Sequence, residues 1–197
     1  MRIKLVNILI RKIKIFWDNL YGLDFHTTIK TNNFNLDPDK FYDCSPSASF
    51  AIKKLFSSIG FTNKDSFLDI GCGKGSVLRL LLKYPLDKIE GIEISESIYN
   101  ICSKNLKILN DKRLKATCID ARFFENYDKF NFLYAYNPCN EMIFEEIIKK
   151  IVTDSKNSKK FIYINSKWDN ILKKYGFKFE NKYIDEWGND IKIFSLD

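Results

Sequence analysis

A short apolar run that breaks into closely spaced glycines, with a carboxylate just ahead of them, is a pattern suited to binding a small polar ligand. Ser66-Phe-Leu-Asp-Ile-Gly-Cys-Gly-Lys-Gly75 has that form. Phe67, Leu68 and Ile70 read as a buried strand. Gly71, Gly73 and Gly75 let the backbone turn sharply and bring its N–H groups against a ligand. Ser76-Val-Leu-Arg-Leu-Leu-Leu-Lys83 resumes with helical character, so the turn sits at a helix N-terminus. Asp69 discriminates between ligands: a pyrophosphate is repelled by an anion at that point, and an amine is attracted by it.

The glycines are spaced G-x-G-x-G, with Ser76 where the dinucleotide fingerprint has its third glycine. A Walker loop does not fit, because Lys74 follows too soon and Gly75 comes after it. Glu93 lies near the end of a second strand pattern, Lys88-Ile-Glu-Gly-Ile-Glu-Ile-Ser95. It stands about two dozen residues beyond Asp69, the spacing at which a βαβ unit sets an acid against a ribose. A carboxylate there accepts hydrogen bonds from both ribose hydroxyls, which any adenosine cofactor supplies. Leu114 to Arg122 is a third strand pattern ending in Asp120-Ala121, where a turn Asp is the plain alternative. Lys129 to Asn140 is a fourth, strongly aromatic and closed by Asn137-Pro138, because proline cannot continue the ladder.

These strand ends need a frame to bring them together, and the rest of the chain supplies an alternating β/α pattern. Ser47 to Ser58, Glu96 to about Leu109, and Glu141 to about Val152 read as helices. Lys160 to Asn165 reads as a fifth strand, followed by a short helix over Trp168 to Tyr175. Phe177 to Trp187 and Asp190 to Leu196 form a hairpin around Gly188-Asn189. Parallel strands with right-handed crossovers would align the ends of strands one, two and four, so that Asp69, Gly71, Glu93 and Asn137 line a single crevice.

At 197 residues, with 45% hydrophobic and 29% charged residues, the chain matches one soluble globular unit with a single three-layer core. Its five cysteines, at 44, 72, 102, 118 and 139, form no CxxC pair. With His26 the lone histidine, no zinc cluster is expected. Reduced thiols of a cytoplasmic protein are the expectation. The net charge of +7 comes chiefly from lysines spread along a chain rich in Ile and Asn, with no Arg-rich patch, which argues against a nucleic-acid partner.

The first 21 residues are both apolar and basic. At about 100° per residue, Lys4, Asn7, Arg11, Lys14 and Asp18 form a polar stripe opposite Leu5, Val6, Leu9, Ile10, Ile13, Phe16, Trp17 and Leu20. Regular interruption by charge argues against a transmembrane span, and no small-residue cleavage site suggests a signal peptide. Two occupants for the apolar face stay open: the chain's own domain or a second subunit, and an anionic membrane surface. Residues 1–40 are therefore set apart as helix and linker from a domain over 41–197.

The glycine loop with Asp69 resembles motif I of the class I S-adenosylmethionine (SAM) methyltransferases, and the pattern of this family runs from about Phe41 to the C-terminus. The resemblance implies an α/β, three-layer, Rossmann-like fold with a mostly parallel seven-stranded sheet and an antiparallel C-terminal hairpin. It implies SAM as cofactor, held by Tyr42, Asp69, Gly71, Cys72, Gly73, Glu93, Ile94, Asp120, Ala121 and Asn137. Asp120 would accept from the adenine amino group, while the adjacent backbone N–H addresses a ring nitrogen. Asn137-Pro138 is similar to the [D/N]PP[Y/F] motif of amine methyltransferases, in which the Asn side chain and the Pro carbonyl hold the amino group. Cys139 replaces the second proline and Asn140 the aromatic, which undermines a nucleobase acceptor and leaves the N or O acceptor open. Phe41-Tyr-Asp-Cys-Ser-Pro46 partly resembles a Tyr-Glu-Pro-Ser-Pro segment of small bacterial methyltransferases, in which it folds over the cofactor and Tyr42 would touch it. The alternatives are a non-catalytic module that keeps the fold for binding or scaffolding, and an NAD-dependent oxidoreductase, against which Asp69 argues.

Overall fold

All seven apolar runs become strands, and the sheet they form explains why the polar residues at their ends meet. The computed structural model describes residues 12–30 and 37–197. The strands are β1 (Ser66–Ile70), β2 (Lys88–Glu93), β3 (Leu114–Cys118), β4 (Phe132–Tyr136), β5 (Lys159–Ile164), β6 (Lys178–Ile184) and β7 (Asp190–Leu196). The helices are α1, seen over 12–20, α2 (Phe50–Ile59), α3 (Ser76–Leu81), α4 (Glu96–Leu109), α5 (Glu141–Asp154) and α6 (Asp169–Lys174). The strands lie in the order β3-β2-β1-β4-β5-β7-β6, parallel except for β7, which runs antiparallel to both β5 and β6. This is a Rossmann-like three-layer sandwich.

Period-two alternation assigns each strand residue to one of two cores. Phe67, Ile89, Phe132, Tyr134 and Ile162 pack with Ile52, Leu55 and Phe56 of α2, Leu78 and Leu81 of α3, and Cys102 of α4. Leu68, Ile70, Ile92, Leu133 and Phe161 pack against Ile143, Phe144, Ile147 and Ile148 of α5 and Leu172 of α6. Both faces of β1 are therefore covered, and all five of its residues are buried, as a central parallel strand requires. The order reverses between β1 and β4, which opens a crevice at their carboxyl ends. Gly91 is needed because β2 passes close beneath the loop: a Cβ there would stand 2.6 Å from Cys72 Cβ.

Local chemistry shifts several boundaries from those read in the sequence. Ser49 caps α2 by accepting from Ile52 N at 3.1 Å, so the helix starts at Phe50 rather than Ser47. β3 ends at Cys118, because Asp120 turns the chain into a 3₁₀ turn over Ala121–Phe123. The hairpin loop is wider than a two-residue turn. Asp185 Oδ1 accepts from the backbone N–H groups of Trp187 (2.9 Å) and Asn189 (2.8 Å), so β6 ends at Ile184. All five cysteines are free, and Cys118 is exposed.

The N-terminal segment is turned the other way from an ordinary docked amphipathic helix. Asp18, assigned to the polar stripe, is the residue that is buried. It accepts from Arg79 Nη1 at 2.7 and 2.8 Å and pairs with His26 at 2.9 Å. Ile13, Phe16, Trp17 and Leu20 are exposed, so the described part of the apolar face is not docked on the chain's own domain. Lys4, Leu5, Val6, Asn7, Leu9, Ile10 and Arg11 lie outside the described residues. After α1 the chain straps across α3 and α4. Leu23 and Phe25 are buried, and Asn105 exchanges hydrogen bonds with the Asp24 backbone at 3.0 and 2.8 Å. No described helix is long and apolar enough to cross a membrane.

Candidate functional site

The crevice at the ends of β1, β2 and β4 is a cleft with about 1000 Å³ of free space, counted out to open solvent. Its floor is the glycine loop, and residues 41–47 lie across it. Gly73 has φ +55°, and a Cβ on it would stand 2.9 Å from Cys44 Sγ. Only glycine allows both that turn and so close an approach of the overlying segment. Cys44 is joined to Ile29 by an antiparallel bridge, so the strap and the overlying segment form one layer. Lys74 holds this layer to the loop. Its side chain is buried, and its Nζ pairs with Asp24 at 2.5 Å and donates to Thr27 Oγ1.

Glu93 is the organising carboxylate. Its Oε2 accepts from Gly73 N at 3.0 Å and its Oε1 from Ser95 N at 2.9 Å, so it ties the glycine loop to the end of β2. It is 7% exposed, so although it ends a strand it sits inside the fold. Burial pushes its carboxyl above the ordinary value, against the pull of the Ser95, Gly73 and Ile94 amides. Asp69 is buried as well, and burial followed by the Glu93 charge raises its carboxyl far above the usual range. It does not form part of the cleft wall, which begins at Ile70.

Next to Asp69 on β4 stands Tyr134, its register partner. Tyr134 lines the cleft, and Ser47 is the polar side chain at its buried hydroxyl. Burial and the nearby Asp69 hold this phenol far above its usual range. The sequence reading missed it, although alternation in Phe132–Tyr136 puts Tyr134 and Tyr136 on one face, and both reach the wall. Phe25, also on the wall, comes from the strap and left no local signal.

The other expected residues converge, several of them with partners already. Tyr42, Gly71, Cys72, Gly73, Glu93, Ile94, Asp120, Ala121, Asn137 and Pro138 all line the cleft. Tyr42 is over a third exposed, with Lys167 Nζ 4.9 Å from its ring centroid. Asp120 is gripped by Arg122, whose Nε and Nη2 lie 3.0 and 2.7 Å from Oδ2. Burial raises the Asp120 carboxyl, the Arg122 guanidinium outweighs that, and the group ends below its ordinary value. Asn137 adopts φ +36°, so the chain leaves β4 through a left-handed residue, and Tyr163 OH lies 3.5 Å from its Oδ1. Asn140 is the N-cap of α5, accepting from Ile143 N at 3.1 Å, which explains a polar residue where the resembled motif has an aromatic. Among the described residues no group of three His, Cys, Asp or Glu side chains could hold a metal ion.

No family model and no curated protein matches the sequence. Solved structures do match. A SAM-dependent methyltransferase from Aquifex aeolicus superposes with a TM-score of 0.60 at 16% identity, over 74% of this chain and 89% of that one. A ribosomal protein L11 methylase from Lactobacillus delbrueckii subsp. bulgaricus gives 0.60 at 12% identity, over 74% and 77%. A mutant of MtNAS in complex with S-adenosylmethionine gives 0.59 at 14% identity, over 75% and 61%.

The chain has the class I methyltransferase fold. The strap and the segment 41–47 are fastened to the rest of the fold by Asp18 to Arg79, Asp24 to Lys74 and Asn105, and the Phe41–Cys139 bridge among others.

Proposed function

We propose that the protein is a SAM-dependent methyltransferase acting on an N or O acceptor. The observation that carries this reading is the meeting of the Gly71–Gly73 loop, buried Glu93 and Asn137-Pro138 on one cleft of a methyltransferase fold. The residues fit the cofactor. Gly71 and Gly73 bring the loop backbone to the cleft wall with no side chain of their own in the way. Each Glu93 oxygen already accepts one amide and keeps a lone pair for a ribose hydroxyl. Ile94 and Ala121 offer apolar flanks for adenine, and Asp120, held by Arg122, is oriented beside them. Bound SAM would supply an electrophilic methyl group on sulfur.

The chain's own part is to position the acceptor. The Asn137 carboxamide and the Pro138 carbonyl accept hydrogen bonds from an amine or hydroxyl, and the layer over the cleft excludes water. Orientation alone supplies several kcal/mol of rate enhancement in such a reaction. The test is calorimetric titration with SAM and S-adenosylhomocysteine. No binding at about millimolar ligand, with an intact circular dichroism spectrum, ends this reading.

A second reading is a module that keeps the fold without turnover, supported by Cys139 being buried and Asn140 being spent on the α5 cap. A ligand that binds only the native state raises its melting temperature by mass action. Stabilisation by neither SAM nor S-adenosylhomocysteine favours the scaffold.

A further inference from the structure

Ile13, Phe16, Trp17 and Leu20 recur at the spacing i, i+3, i+4, i+7 and are 48, 64, 51 and 64% exposed. At about 100° per residue they share one narrow stripe of α1, while Ile15 and Asp18 lie on the opposite side. That opposite side faces the protein: Asp18 is buried against Arg79 and His26, and Ile15 is partly buried. The cause is electrostatic. A buried carboxylate must be paired, and Arg79 and His26 are the groups that pair it, so the helix is clamped with its apolar stripe outward. Lys12 and Lys14 are both exposed and flank the stripe on its two sides. Tyr21, 66% exposed, extends it.

We propose that this ridge docks the protein on an anionic lipid surface. The charges favour lipid over a second copy of the chain. Residues 1–21 carry Arg2, Lys4, Arg11, Lys12 and Lys14 against Asp18 alone, which Arg79 already neutralises. A two-fold pairing of ridges would set the flanking lysines of one copy beside those of the other. Anionic headgroups oppose those cations, the lysine stems lie along the apolar stripe, and Trp17 and Tyr21 suit the interface. The ridge is joined to the cleft by a short run of chain: Phe25, on the cleft wall, follows Tyr21 by four residues. Surface docking is independent of methyl transfer and stands or falls separately.

The experiment is flotation of the full chain with phosphatidylcholine vesicles, alone or with about one-third phosphatidylglycerol, at low and high salt. The wild type is expected to float with the anionic vesicles only, and less at high salt. Phe16→Ser/Trp17→Ser and, separately, Lys12→Glu/Lys14→Glu should each lower binding roughly ten-fold or more. Both pairs are exposed, so melting temperature and SAM binding should match the wild type and report that the fold is intact. Failure to float with anionic vesicles overturns the proposal. So does flotation of both variants equal to that of the wild type, or a wild-type dimer that Phe16→Ser/Trp17→Ser turns into a monomer.

Discussion

Glu93→Ala separates two jobs of one carboxylate. In the folded chain Glu93 receives the Gly73 and Ser95 amides at 3.0 and 2.9 Å. Each charge-assisted bond contributes about 1.5–3 kcal/mol, and their loss leaves two buried N–H groups to find water. The desolvation of the carboxylate offsets much of this, because burial raises its pKa despite the donating amides. The net destabilisation should be about 1–2 kcal/mol, smaller than the bonds alone suggest. For a domain of this size that lowers the melting temperature by roughly 2–8 °C. The second job is the ribose contact, whose loss should weaken SAM by about 1–3 kcal/mol, roughly 5- to 150-fold in Kd. Differential scanning calorimetry reads the first effect and titration calorimetry the second. Glu93→Gln, which keeps one acceptor oxygen, should fall between wild type and alanine in both. Full SAM affinity in Glu93→Ala would refute the ribose assignment, and an unmoved melting temperature would refute the tether to the loop.

Three further outcomes are expected. Asn137→Gly tolerates φ +36° and removes only the carboxamide, so turnover should fall on the order of 10²-fold while SAM affinity holds; steady-state kinetics with SAM titration checks this, and equal loss of both would place Asn137 in the cofactor pocket. Gly73→Ala should lower stability through its left-handed backbone and the 2.9 Å contact with Cys44 Sγ, and Cys44→Ala should restore the contact part but leave about 1 kcal/mol of strain, a pattern read by a double-mutant cycle of melting temperatures. Asp69 has a carboxyl raised by burial and by Glu93, so its proton is bound more tightly in the folded chain than in the unfolded one. Its contribution to stability is therefore present in acid and lost as pH rises through the raised value. Asp69→Asn should melt near the wild type at about pH 3 and increasingly above it toward neutrality, and a constant difference across that range would reject the assignment.

The residues that are local in sequence were legible in it. Alternation in Phe67–Ile70 and Phe132–Tyr136, the glycines at 71, 73 and 75, and the helical periods between strands determine a parallel sheet whose strand ends converge. Ser49 and Asn140 could have been read as caps, because capping needs only the next turn of the same helix. Partners remote in sequence were not legible. Nothing near Asn105 says that it will grip the backbone of Asp24, and nothing near Lys74 says that Asp24 will pair with it. Glu93 stands at a strand end, and it is the returning glycine loop, remote from it in sequence, that buries it. The sense of α1 shows the limit most plainly. Its stripe of Ile13, Phe16, Trp17 and Leu20 follows from periodicity, but which side faces the protein depends on Arg79, 61 residues away, pairing with Asp18. Periodicity sorts side chains into faces; a charge arriving from another element decides which face is turned inward.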